Sequence, residues 1–161
     1  KDDKFRDIYG HIYPSKEKLA TDPVLVVPLL QAYAQKDRAF LDWMKQVSTW
    51  SKNRPSPEIC DAYIDDQLKQ RNLVDVDWAL ANFNMSGSSN MYSLGTNDIG
   101  NIKCRVFMTF ATGDAVVSEQ MTRENIAALK PEVVKVYEGE GHQVLYDRTK
   151  EVLEDIYTFI G

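Results

Sequence analysis

The sequence predicts a mixed α/β fold, largely helical over residues 1–95 and then a β-α-β-α unit with parallel strands over residues 96–161. Two short apolar runs in residues 102–117 and 133–146 read as buried strands, and each passes into a polar loop. The first loop opens on Gly113-Asp114, and the second carries Gly139, Gly141 and His142. The stretch between them begins at Ser118, a capping residue, runs through good helix formers to Lys130, and stops before Pro131. Strand, helix, strand is the crossover that makes neighbouring strands parallel.

The helical region is read from spacing. Residues 23–36 are apolar and start through Asp22-Pro23, with Pro28 requiring a kink or a delayed start. Residues 37–50 carry Phe40, Leu41, Trp43, Met44 and Val47 on one broad face. Ser56-Pro57-Glu58 is a helix start, with serine at the cap and proline in the first turn; Ile59, Tyr63, Ile64 and Leu68 follow at helical spacing. Residues 75–83 predict one more short helix, and the Gly/Ser/Asn-rich stretch 84–101 reads as a linker. At the other end, residues 149–160 place Val152, Ile156, Phe159 and Ile160 on one face of a closing amphipathic helix.

Composition bounds the function. A chain of 161 residues with 43% hydrophobic content has the size and apolar fraction of a folded domain. The net charge of −5, without a Lys/Arg stripe, argues against nucleic acid as a partner. No apolar run reaches the length of a membrane span, and the start at Lys1-Asp-Asp is too charged for the apolar stretch of a signal peptide. Cys60 and Cys104 stand 44 residues apart without zinc-ligand spacing and read as reduced thiols, which points to the cytoplasm. Nothing in the chain calls for a cofactor or a metal.

The chemistry is expected in the two loops. A carboxylate just past one strand and an imidazole just past the next become neighbours if the strands are parallel and adjacent, because both then open on one edge of the sheet. Alone, Asp114 reads as a turn or helix-cap aspartate and His142 as an ordinary loop histidine; their joint position suggests catalysis. Asp98 precedes the strand and is a poorer acid. His11 reads as structural or exposed, and Glu140 as a solvated loop carboxylate.

Here the chain resembles the C-terminal part of the α/β-hydrolase superfamily. Ile102-Lys-Cys-Arg-Val106 and Ala111-Thr-Gly-Asp-Ala-Val-Val117 are similar to that family's next-to-last core strand and the acid turn after it. Gly139-Glu-Gly-His142 is similar to the histidine turn after the last strand. The resemblance spans residues 99–161, with Arg105 where proline is common and Ala111 where glycine is common. It implies that His142 is a general base and Asp114 the acid that orients it. It also implies that residues 15–85 form a helical cap with aromatics lining an acyl or hydrophobic pocket, although Trp43, Trp50, Tyr63, Trp78 and Phe83 also read simply as helix-packing residues.

A hydrolase of this kind needs a nucleophile on a Gly-x-Ser-x-Gly turn with backbone oxyanion donors, placed ahead of the acid in the chain. No such turn precedes Asp114; the nearest serine cluster, Met85-Ser-Gly-Ser-Ser-Asn90, lacks the flanking glycines and reads as a polar loop. Two strands are also few for a sheet covered on both faces. The resemblance therefore implies an α/β-hydrolase enzyme acting on a small ester, thioester or amide substrate, with the nucleophile in an N-terminal part of the fold outside this chain. Acyl transfer is open to the same scaffold, as are dehalogenation and epoxide opening with an aspartate nucleophile. Two other readings stand beside it: a catalytically silent interaction module that keeps Asp114 and His142, and a small binding domain whose sheet is completed by dimerisation or strand swapping.

Overall fold

The structure, a computed structural model, describes residues 5–161. Residues 1–4, whose charge entered the reading of the N terminus, lie outside the described residues. The fold is mixed: among the described residues helices predominate, with one two-stranded parallel sheet. Among the described residues no helix is long and apolar enough to cross a membrane. The chain divides into two compact units. One runs up to Leu41 and includes Asp61–Asn101; the other joins Asp42–Cys60 to Ile102–Gly161, so residues 42–60 group with the strands.

The first unit holds α1 (Lys16–Leu19), α2 (Val26–Gln35), the start of α3 (Arg38–Val47), most of α4 (Pro57–Gln67) and α5 (Leu73–Asn82). The delay expected from Pro28 is observed: α2 begins at Val26, which leaves Pro28 in the first turn, where a missing N–H costs no helical hydrogen bond. Asp22 supplies the turn before it. Its Oδ1 accepts from the N–H groups of Val24 (2.9 Å) and Leu25 (2.6 Å), and the Tyr13 hydroxyl donates to Oδ2. Burial alone would push this carboxyl up, but the Leu25 N–H and the Tyr13 hydroxyl outweigh it and hold Asp22 below the ordinary carboxylate range. Tyr13, Leu19 and Val26 form one buried cluster backed by Leu73, Val74 and Trp78. Ala32, Leu41 and Ile64 form another.

The stretch 84–101 differs from the expected linker: it is a loop folded on itself. The carbonyls of Asn84 and Ser86 accept from the N–H groups of Thr96 and Asn97, each at 3.0 Å, and the Asn84 amide reaches the Ser88 carbonyl at 2.7 Å. Gly95 makes this closure feasible. Its φ is +80°, and a Cβ there would stand 2.3 Å from the Ser86 carbonyl oxygen.

In the second unit, β1 (Phe107–Ala111) and β2 (Val133–Tyr137) pair in parallel, with Phe107 opposite Val133 and Ala111 opposite Tyr137. They are joined by α6 (Glu119–Leu129), capped by Ser118, whose side chain accepts from the Met121 N–H. The short helix α7 (Val144–Asp147) and α8 (Thr149–Ile160) close the chain. One sheet face packs on α8: Ala111, Tyr137, Val144 and Val152 form a buried cluster joined by Ile156, and the rings of Phe107 and Phe159 are 5.5 Å apart. The Arg123 guanidinium of α6 lies 5.5 Å from the Phe110 ring, which belongs to the opposite face. The expectation of two buried strands is corrected for β2, where Val134 and Val136 remain 36% and 41% exposed. A sheet of two strands is all edge, and α6 packs on β1.

The aromatic side chains also depart from a uniform packing role. Trp50 is buried, and Trp78 meets Tyr92 edge to face at 5.8 Å. Trp43, Tyr63 and Phe83 are exposed. Both cysteines are free, Cys60 buried and Cys104 exposed.

Candidate active site

The pairing of β1 with β2 fixes where the two loops begin, since Ala111 and Tyr137 are opposite each other at the carboxyl ends of the strands. The register then continues through loop hydrogen bonds. Thr112 donates its N–H to the Tyr137 carbonyl (3.2 Å), and Gly113 donates to the Glu140 carbonyl (2.9 Å). The Gly139 N–H donates to Thr112 Oγ1 at 2.7 Å, and that hydroxyl lies 3.1 Å from Glu138 Oε2. Gly113 has to be glycine for this closeness: a Cβ would stand 2.8 Å from the Glu140 carbonyl oxygen and 3.0 Å from that of Gly139.

These loops bring Asp114 and His142 together. His142 Nδ1 lies 2.9 Å from Asp114 Oδ2 and 3.1 Å from Oδ1. The Asp114 side chain is 14% exposed and that of His142 35%. Asp114 is also a turn residue, because Oδ1 accepts from the N–H groups of Val116 (2.7 Å) and Val117 (3.0 Å). The carboxylate thus closes its own turn and contacts the ring at the same time, and the backbone donors lock its rotamer. A carboxylate only accepts, so this contact favours the neutral tautomer with its proton on Nδ1 and a lone pair on Nε2. Nε2 makes no hydrogen bond to any described residue.

Glu140 differs from the expected solvated carboxylate. Its side chain is 14% exposed and accepts from Arg148 Nε at 2.7 Å, which ties the histidine loop to the start of α8. Arg148 also reaches Glu151 at 3.2 Å. The stem of Lys52 lines the same loops, its Cε 2.9 Å from where a Gly113 Cβ would be. Sequence reading missed Lys52, Arg148 and Thr112 as parts of this region; a glycine three residues before His142, opposite a hydroxyl residue two before Asp114, is the signal that could have found Thr112.

The remaining candidates lie apart from this pair in role. His11 is exposed, its Nδ1 3.3 Å from Asp7 Oδ2 in a local turn where Asp7 also accepts from the His11 and Tyr9 N–H groups. Asp98 opens a 3-10 turn, Asp98–Asn101, and accepts from the Asn101 side chain. The serines of 85–90 serve the loop: Ser86 Oγ donates to Asn84 Oδ1 at 2.7 Å. Among the described residues, no serine, threonine or cysteine side chain hydrogen-bonds His142. No protein-family model matches the chain, and no curated protein matches it.

Proposed function

We propose that this chain is part of an α/β-hydrolase-type enzyme that hydrolyses an ester, thioester or amide bond, supplying the acid and the histidine of a nucleophile-histidine-acid triad. The observation that carries the reading is the Asp114–His142 pair: a carboxylate at 2.9 Å from Nδ1, at the carboxyl ends of adjacent parallel strands, with Nε2 uncommitted. In the reaction, Nε2 takes the proton of a hydroxyl nucleophile as it attacks the carbonyl carbon, then gives it to the leaving group. In the second half Nε2 takes a proton from water as its oxygen attacks the acyl carbon, and returns that proton to the nucleophile oxygen as the acyl–oxygen bond breaks, releasing the carboxylic acid and the free hydroxyl. Asp114 stays ionised, holds the Nδ1–H tautomer and stabilises the imidazolium as it forms. The nucleophile and the oxyanion donors belong to an N-terminal part of the fold outside this chain, which is consistent with a sheet of only two strands.

The test is turnover of a chromogenic ester by the chain assembled with the segment that carries a Gly-x-Ser-x-Gly turn, and His142→Ala reduces kcat by about 10³-fold or more. Exposed Val134 and Val136 favour a second reading, a non-catalytic module whose sheet is completed by a partner. In that case partner binding survives His142→Ala and no turnover is seen in any assembly.

A further inference from the structure

We infer that Thr112 is a positioning residue for the Asp114–His142 pair, its hydroxyl clamping the histidine loop to the acid loop; the inference rests on the catalytic reading of that pair. The β1–β2 ladder ends at Ala111 opposite Tyr137. Beyond it, three cross-loop hydrogen bonds from backbone N–H groups keep the two loops in step: Thr112 N–H to the Tyr137 carbonyl, Gly139 N–H to Thr112 Oγ1, and Gly113 N–H to the Glu140 carbonyl. Two of these are backbone to backbone and survive any substitution that keeps the fold. The middle one, at 2.7 Å, depends on a side chain. It closes the gap between the end of the ladder and the Gly113–Glu140 bond, immediately before each loop turns toward its titratable residue.

Geometry gives that bond influence over the imidazole. His142 is one-third exposed, so core packing does not fix the ring; it is placed by the loop backbone and by Asp114. Asp114, in contrast, is held by the Val116 and Val117 N–H groups of its own turn. Any slackening between the loops therefore appears at the histidine, as loss of the Nδ1 contact. The Thr112 hydroxyl has a second partner, Glu138 Oε2 at 3.1 Å, to which it donates while accepting from Gly139. Both its donor and its acceptor capacity are thereby used in the same loop.

The experiment reads the tautomer of His142 from imidazole ¹⁵N shifts in the full chain at a pH of about 9, above the ordinary imidazole range. His11, the other histidine, serves as the internal control. The wild-type ring is mainly Nδ1–H. Thr112→Val and Thr112→Ala each lower the Nδ1–H to Nε2–H ratio about fivefold, the factor expected for one ordinary hydrogen bond, while Thr112→Ser keeps it within about twofold. His11 is unchanged throughout. An unchanged ratio in Thr112→Val or Thr112→Ala, even with lower thermal stability, overturns the inference and leaves Thr112 a structural residue; so does a Thr112→Ser ratio as low as that of Thr112→Val. A wild-type ring already mainly Nε2–H is a different failure, because it removes the Asp114–His142 pair itself and with it the proposed activity.

Discussion

Asp114 serves two partners with one carboxylate: Oδ1 accepts from the N–H groups of Val116 and Val117 and lies 3.1 Å from His142 Nδ1, while Oδ2 lies 2.9 Å from the same nitrogen. A carboxylate whose rotamer is set by its own turn presents the second oxygen to the ring without further ordering, which is the preorganisation an orienting acid requires.

The two roles separate by mutation. Asp114→Asn keeps an oxygen for the Val116 and Val117 donors, so the melting temperature changes little, whereas kcat of the assembled enzyme falls about 10³- to 10⁴-fold through loss of the correct tautomer. Asp114→Ala loses the turn as well and costs about 1 kcal/mol of stability in addition. Thermal unfolding and ester turnover of the two variants check this.

Gly113→Ala introduces a Cβ at 2.8 Å from the Glu140 carbonyl oxygen. Because that neighbour is backbone, the histidine loop has to move. The expected cost is about 1–3 kcal/mol in chemical denaturation, together with a weaker Asp114–His142 contact in the ¹⁵N spectrum.

The α8–β2 seam carries a pH signature. The Lys135 ammonium, then the Tyr137 hydroxyl, hold the Asp155 carboxyl below the ordinary carboxylate range. A carboxyl that titrates lower when folded stabilises the fold above its unfolded value, about 3.9, and that contribution is lost as the pH falls through the folded value. Tyr137 is the mirror case: burial, then Asp155, push its phenol up to about 12. Its contribution is intact below the unfolded value of about 10 and is lost as the pH rises through the folded value. Melting temperatures across pH show both limbs; Asp155→Asn removes the acid limb and only reduces the alkaline one, which burial of the phenol maintains, and Tyr137→Phe removes the alkaline one.

Burial predicts a contrast along the sheet. Val152 is 2% exposed in the cluster with Ala111, Tyr137 and Val144, so Val152→Ala costs about 2 kcal/mol. Val134→Thr, at a position 36% exposed, stays within about 0.5 kcal/mol for this chain by itself. Urea titration of the two variants measures the difference.

Local chemistry made much of this legible in advance. The β-branched run at Val133, the capping Ser118 and the spacing of Val152, Ile156 and Phe159 each specify their own element, and the crossover between Asp114 and His142 makes their strands parallel. What stayed hidden depends on partners distant in sequence. Arg105 looked anomalous where proline is common in the resembling family; in the fold its guanidinium bonds both oxygens of Glu132, at 2.8 and 2.9 Å, and lies 4.3 Å from the Phe159 ring. Lys52 against Gly113, Arg148 on Glu140 and the closure of Thr96 and Asn97 onto the 84–86 backbone are of the same kind. No periodicity announces them. The exposure of Val134 and Val136 follows from the number of strands present and from where α6 packs, which their own β-branched pattern does not encode.

The central claim, that Asp114 and His142 act as one catalytic unit, is tested most directly by a double-mutant cycle on ester turnover in the assembled enzyme. Wild type, Asp114→Asn, His142→Ala and the double variant are compared by kcat/KM. The account predicts that the double variant is no slower than His142→Ala alone, because Asp114 acts only through the imidazole. Independent, multiplying losses, or a His142→Ala variant as fast as wild type, would contradict it.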